Sequence, residues 1–249
     1  MGGLPRSGST VLSAILNQNK KVHVSTTSDV PEMIMDILKN TGQVLNLNAQ
    51  DLMYQHLCNK YENHNYEFII DKSRGWNGIF HEIIKREENP RMIAPIRPLK
   101  EDVAYAMRLF EKNPQNRFSQ FAEGQDRDQK AMTFYELYCK SNFEHLRQLI
   151  ETYPDNVCVV EFNDLMHRPN KVLGDVYKFC SFPLGDHHDL NNIKPREYED
   201  DAVWDIGGLH TVKSKIVPPT YTPENYFGKE VSWFLDNADT LHQSRGIIV

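Results

Sequence analysis

The chain has 249 residues, with 28 Lys+Arg against 34 Asp+Glu and a formal net charge of −6. Hydrophobic residues at 40% and charged residues at 25% are ordinary for a globular protein and exclude a disordered, collagen-like or disulfide-dense chain. The mild acidity argues against a nucleic-acid binder, and no apolar run approaches the about 20 residues that span a bilayer, so neither nucleic acid nor membrane is an expected partner.

The opening MGGLPRSGST lacks the apolar stretch of a signal peptide. The four cysteines, Cys58, Cys139, Cys158 and Cys180, show no CxxC spacing and read as free buried thiols of a reducing compartment. A cytoplasmic location and one domain over residues 1–249 are therefore expected.

In chain order, Val11, Leu12, Ile15 and Leu16 share one face and predict a helix over residues 10–16. Residues 22–24 read as a short strand. A helix over 32–38 follows Pro31, with Ser28 or Asp29 as its cap. A further helix is predicted over about 50–63. The apolar run Tyr66, Phe68, Ile69, Ile70, ended by Asp71, suits a buried parallel strand. A helix over 79–85, a strand over 92–96 and a helix over 102–110 come next. Residues 113–130 are polar and irregular, either an exposed loop or a mobile lid. A long amphipathic helix is predicted over about 131–152, with Phe134, Leu137, Tyr138, Phe143, Leu146 and Leu149 as core. A strand over 157–160 and helices over 163–167 and 172–179 complete the pattern. Alternation of this kind predicts an α/β fold of three layers, a central parallel sheet flanked by helices. Ligands on such a sheet bind at the carboxyl ends of its strands.

Gly3-Leu4-Pro5-Arg6-Ser7-Gly8-Ser9-Thr10 has the G-x-x-x-x-G frame of a P-loop. Glycines let successive amides turn inward on an anion, and the helix that follows adds its positive end. A nucleoside triphosphatase would carry lysine at position 9, where this chain has Ser9. The frame therefore suits a single phosphate group held by backbone amides, Arg6 and the hydroxyls of Ser7, Ser9 and Thr10. Only Met1 and Gly2 precede it, so the strand that normally enters a P-loop is either very short or cut off by the chain start.

PRSGST followed by an amphipathic helix resembles the 5′-phosphosulfate loop of sulfotransferases that use 3′-phosphoadenosine 5′-phosphosulfate (PAPS). Asp71-Lys72-Ser73-Arg74 is similar to the strand-end lysine motif of the tyrosylprotein and related branch. Pro95-Ile96-Arg97-Pro98, continuing to Tyr105, resembles the 3′-phosphate motif. Residues 159–169 resemble the segment after a late strand, and residues 208–215 fall where the family has a basic loop closing over the nucleotide. The resemblance implies a P-loop-type fold and sulfuryl transfer to a hydroxyl of a small molecule, carbohydrate or peptide, with no metal.

By that resemblance Pro5, Arg6, Ser7, Gly8, Ser9 and Thr10 hold the 5′-phosphosulfate, and Lys72 neutralises the transferring group unless it pairs with Asp71. Arg97 holds the 3′-phosphate, while Lys213 and Lys215 close over the nucleotide. The family's partner serine for Arg97 is missing; Tyr105 stands nearest its place, and Arg108 is a substitute. The branch's glutamate base is missing too. Asp29 is the nearest carboxylate, with Glu32 and His23 as local alternatives, and His210 in the closing loop is a further ligand contact. Trp76, Trp204 and Tyr226 line either an acceptor cleft or the core. Two other readings stand beside this one: a non-catalytic nucleotide-binding protein on the same fold, and a P-loop kinase of a small molecule.

Overall fold

The computed structural model describes residues 1–40, 65–85, 87–183, 188–199, 201 and 205–243. β1 (Val22–Thr27) pairs in parallel with β2 (Phe68–Lys72), and β3 (Met92–Ile96) pairs in parallel with β4 (Val157–Glu161). Residues 1–4 join the two pairs. The amides of Gly2 and Leu4 donate to the carbonyls of Ile93 and Pro95 at 3.0 and 2.8 Å, and Ser73 donates to the Met1 carbonyl at 3.0 Å. This two-residue step along both partners is a parallel ladder, so residues 1–4 run as a central strand between β2 and β3.

The strands are short, apolar and β-branched because both faces of the sheet are covered. Along β3 and β4, Met92, Ala94, Ile96, Val157 and Val159 face one core, while Ile93, Cys158 and Val160 face the other. The first core is closed by α3 (Trp76–Ile84), α4 (Leu99–Lys112), α7 (Lys140–Thr152) and α10 (Lys229–Ala238). The second is closed by α1 (Ser9–Leu16), α8 (Phe162–His167) and α9 (Pro169–Cys180). These are the three layers expected from the sequence. α2 (Val30–Asn40) starts after Ser28, whose hydroxyl accepts from the Val30 amide at 3.3 Å, so serine rather than aspartate supplies the side-chain cap.

The segment 113–130 is built rather than irregular. It holds α5 (Arg117–Phe121), capped by Asn116, and the start of α6 (Arg127–Phe134), which opens on a capping box between Asp126 and Gln129. The single helix expected over 131–152 is broken by a π-helical turn, Tyr135–Cys139. The wider turn shifts the register of the apolar face. Phe134, Phe143, Leu146 and Leu149 are core, but Leu137 and Tyr138 are 53% and 36% exposed, against the 3.6-residue expectation. Cys139, Cys158 and Cys180 are free thiols. The predicted helix at 50–63, Cys58 and Trp204 lie outside the described residues. Among those residues no helix is long and apolar enough to cross a membrane.

Candidate active site

The carboxyl ends of β1, β2 and the central segment open onto a cavity of about 760 Å³. The loop between residue 4 and α1 forms one wall. Its entry is pinned by Asn77 of α3, buried in an apolar face, which donates to the Gly3 carbonyl at 2.9 Å and accepts from the Gly3 amide at 3.0 Å. Gly3 has φ +105°, and a Cβ there would stand 2.3 Å from the Pro95 carbonyl oxygen. Arg6 also takes a left-handed backbone, φ 52°, and Gly8 follows at φ 87°. Left-handed residues interleaved in this way turn successive amides to one side. Ser7 stabilises the turn from within, donating to the Leu4 carbonyl at 2.6 Å.

No side chain caps Gly8, and no acidic residue occupies the first turn of α1. The first amides of a helix lack intrahelical partners, so this end is open to an anion. Pro5, Arg6 and Ser9 line the cavity, whereas Thr10 faces a smaller recess between α1 and residues 195–199. Arg6 reaches across and donates to the Leu209 carbonyl at 3.0 Å. Burial pushes its pKa down, and the neighbouring Arg74 adds to the effect.

Lys72 stands at the end of β2, buried, with its ammonium on Glu199 rather than on Asp71. Asp71 instead accepts from the Trp76 indole at 2.7 Å, which holds Trp76 in the core. Glu199 also accepts from Thr27 at 2.7 Å and lies 3.2 Å from Nε2 of His210. Nδ1 of His210 lies 2.7 Å from Asp201. Burial acts to raise the Glu199 pKa, but Lys72, Thr27 and His210 together hold it below the usual carboxylate value. Burial lowers the His210 pKa and Arg6 lowers it further, against the pull of Glu199 and Asp201. His210 lies in the loop the sequence assigned to the ligand, but the local sequence carries no signal of the cluster, because Glu199 meets Lys72 across 127 residues and brings His210 to it only through the fold.

The other expected site residues are distributed as follows. Asp29 and Glu32 line the cavity; Glu32 accepts from Ser73 at 3.1 Å. His23 is buried and stacks on Tyr66, with ring centroids 5.1 Å apart, and is not among the cavity's lining residues. Arg97 is 1% exposed. It donates to Glu101 at 3.2 Å, to the Arg6 carbonyl at 3.3 Å and to the Tyr221 hydroxyl at 2.6 Å, and lies over the Phe162 ring at 4.2 Å. Tyr105 flanks the same guanidinium at 5.5 Å, and Arg108 lies over Tyr221 at 5.3 Å. Lys213 and Lys215 are exposed and do not line the cavity. Trp76 and Tyr226 pack with the core. Away from the loop the cavity is walled by Met35, Leu109 and an aromatic cluster. In that cluster Phe110 stacks on Phe118 at 4.4 Å, and Phe134 lies 5.2 Å from Tyr138.

The glycine-bearing loop at the head of α1 and the strand-end lysine border one cavity of a P-loop-type α/β fold. The profile of the Sulfotransferase family matches residues 1–186, and the chain belongs to that family. Among solved structures it is similar to sulfotransferase STF9 from Mycobacterium avium, at 10% identity and a TM-score of 0.59 over 100% of this chain and 76% of that one. A second is the sulfotransferase domain of the Synechococcus PCC 7002 olefin synthase, at 16% identity and a TM-score of 0.48 over 96% and 92% of the two chains. No curated protein matches.

Proposed function

We propose that this protein moves a sulfuryl group from PAPS to the hydroxyl of an acceptor that carries an apolar body. The observation that carries this reading is that Pro5, Arg6 and Ser9 of the loop line one cavity together with Lys72. Bound there, PAPS would supply a sulfuryl group activated by a phosphate leaving group. The chain's own work is positioning and electrostatic stabilisation. The amides of residues 8–10 and Arg6 would hold the 5′-phosphosulfate, since both offer donors and positive charge to an oxyanion. Lys72 would neutralise charge that develops on the bridging oxygen. The aromatic wall of Phe110, Phe118, Phe134 and Tyr138 offers an apolar acceptor a dry seat.

For the 3′-phosphate, Arg97 remains our proposed partner, with Tyr105 at its side. Its donors now rest on protein groups, so it would serve by exchanging Tyr221 or Glu101 for the phosphate. Asp29 is retained as a cavity carboxylate in reach of an acceptor, and Lys213 and Lys215 as surface cations near the nucleotide's path. Calorimetric titration with 3′,5′-adenosine bisphosphate and with PAPS tests the site. A radiolabelled sulfate-transfer panel of phenols, aliphatic alcohols, sugars and a tyrosyl peptide then tests the chemistry. Saturable binding of both nucleotides and transfer favouring the phenols and alcohols are expected. Absence of nucleotide binding overturns the reading.

A further inference from the structure

The family branch that this sequence resembles places a glutamate after its first strand, and the matching stretch here, residues 25–29, has none. The structure brings a different group to that place. Thr27, at the end of β1, donates at 2.7 Å to Glu199, and Glu199 touches both Lys72 and His210. Glu199 and His210 thus bring a carboxylate and an imidazole to the cavity wall, with the Asp201 carboxylate on the far side of the ring.

We infer that His210 is the base that takes the proton of the acceptor hydroxyl, that Asp201 is its positioning residue, and that Glu199 marks the place the acceptor and the transferring group will take. This inference rests on the sulfuryl-transfer reading above. Three observations carry it. Asp201 holds His210 twice, accepting from its backbone amide at 3.2 Å and facing Nδ1 at 2.7 Å. A carboxylate there fixes the Nδ1–H tautomer and leaves the Nε2 lone pair facing outward. Nε2 points to Glu199, and both residues line the cavity shared with Arg6 and Lys72. Finally, the His210 backbone follows Leu209, whose carbonyl holds the Arg6 guanidinium, so base and loop arginine are fastened to each other.

The arrangement also contains a mismatch that a ligand would relieve. A neutral His210 with its proton on Nδ1 presents a lone pair to the Glu199 carboxylate, which is an acceptor. Only a doubly protonated ring satisfies both carboxylates, and burial together with Arg6 opposes that charge. A hydroxyl inserted at Nε2 donates its proton to the ring and removes the conflict. Glu199 is then free to leave Lys72, whose ammonium is the cation that an incoming sulfonate requires.

The acceptor oxygen bonds to sulfur while its proton passes to His210 Nε2. The bond from sulfur to the bridging phosphate oxygen breaks, and its electron pair leaves with the 3′,5′-bisphosphate. The imidazolium then returns the proton to water, giving a sulfate ester, the bisphosphate and one proton. The charged and titratable groups that face His210 are Glu199, Asp201 and Arg6, with Lys72 acting through Glu199.

The test compares wild type, His210→Gln and Asp201→Asn in three measurements. Titration with 3′,5′-adenosine bisphosphate reports folding and the nucleotide site; all three proteins should bind within about threefold of one another. Sulfate transfer over pH should fall about 10²-fold or more in His210→Gln, the usual worth of a positioned base. Wild-type kcat/KM should drop as pH falls through the His210 pKa, and this limb should vanish in His210→Gln. In Asp201→Asn the limb should move to lower pH, because a carboxylate that raises the imidazole pKa is gone, and kcat should fall about tenfold. Nitrogen-15 NMR of the imidazoles supplies a readout without turnover: free wild type should show the Nδ1–H tautomer for His210, and Asp201→Asn should lose it. Wild-type turnover in His210→Gln, or an Nε2–H tautomer in wild type, overturns the inference while the transferase reading stands. Nucleotide binding without transfer by wild type to any acceptor overturns the transferase reading, and the base with it.

Discussion

Two histidines in this protein each sit between two carboxylates, yet their pKa values move in opposite directions. His210 faces Asp201 at 2.7 Å and Glu199 at 3.2 Å, and its pKa is lowered. His242 of α11 (Thr240–Gln243) faces Asp239 at 2.8 Å and Glu161 at 3.8 Å, and its pKa is raised to about 9. Burial opposes the charged ring in both places. The difference lies in who else uses the carboxylates. Glu199 is already held by Lys72, and Arg6 adds positive charge beside His210. Among the described residues Glu161 accepts from the Asp164 amide, at 2.9 Å, and faces the ring, with the exposed Arg168 sensing its charge, while Asp239 accepts from the Leu99 amide, also at 2.9 Å. The first cluster keeps a ring neutral at the mouth of a cavity; the second fastens a charged ring, and with it the C-terminal helices, onto the end of β4 and the start of α4.

Removing the cation that divides the two cases has the largest expected effect. Lys72→Ala should lower kcat about 10²–10³-fold, as expected for loss of a group aimed at developing charge, with little change in affinity for the bisphosphate. Glu199 would then be shared only between His210 and the neutral Thr27 hydroxyl, and the His210 pKa should rise toward that of His242. Arg6→Ala should act in the same direction on both. Rate assays paired with imidazole NMR follow the two effects; wild-type kinetics in Lys72→Ala would remove that residue from the chemistry.

Arg97 belongs to the sealed side of the comparison. Its guanidinium is buried among Glu101, Tyr221 and Phe162, and Tyr221 has its phenol pKa pushed upward by burial. Arg97→Ala should therefore cost about 3 kcal/mol of stability by stranding its partners. Any loss of PAPS affinity should appear beside that cost. Urea unfolding of the variant separates the two: unchanged stability with weaker nucleotide binding would mean that Arg97 serves the ligand alone.

The His242 anchor makes a prediction with a defined sign. A group whose pKa is raised on folding stabilises the fold fully below its unfolded value, here 6.5, and the contribution is lost as pH rises through about 9. At about 1.4 kcal/mol per pH unit the difference sets an upper bound of roughly 3.5 kcal/mol. Wild type should lose up to that amount in urea unfolding between pH 6 and pH 10, and His242→Gln should lose distinctly less over the same range. Equal losses would show that the ring is neutral in the fold.

The contrast also explains what the sequence could and could not reveal. The layered α/β fold was legible because buried strands are short apolar runs and helices carry a 3.6-residue period. The loop was legible because G-x-x-x-x-G is local, with all its partners within a few residues. The π turn at 135–139 was not: one wider turn leaves composition untouched while it swings Leu137 and Tyr138 outward. Neither histidine cluster was legible, since Glu199 with Lys72 and Glu161 with His242 are distant in sequence and meet only through the fold. Asn77 carried a faint signal, a polar residue on an apolar helix face, which the fold uses to grip Gly3.

The smallest expected effect is the one that most directly separates the two clusters. Glu199→Gln keeps the size of the side chain and its contact with Thr27, but frees the Lys72 ammonium from its counter-ion. An unpaired ammonium in a buried site favours an anionic ligand, so PAPS affinity should improve severalfold. Loss of the carboxylate should also lower the His210 pKa, because the charge of Glu199 raises it. The acidic limb of kcat/KM should then shift to lower pH, without the large fall in kcat expected for His210→Gln. The matching change at the other cluster, Glu161→Gln, should leave PAPS affinity alone and lower the His242 pKa, because among the described residues no lysine is paired with Glu161. If Glu199→Gln weakened PAPS binding instead, Glu199 would be a scaffold for Lys72 rather than the occupant of the sulfonate's place, and the two clusters would differ in position but not in kind.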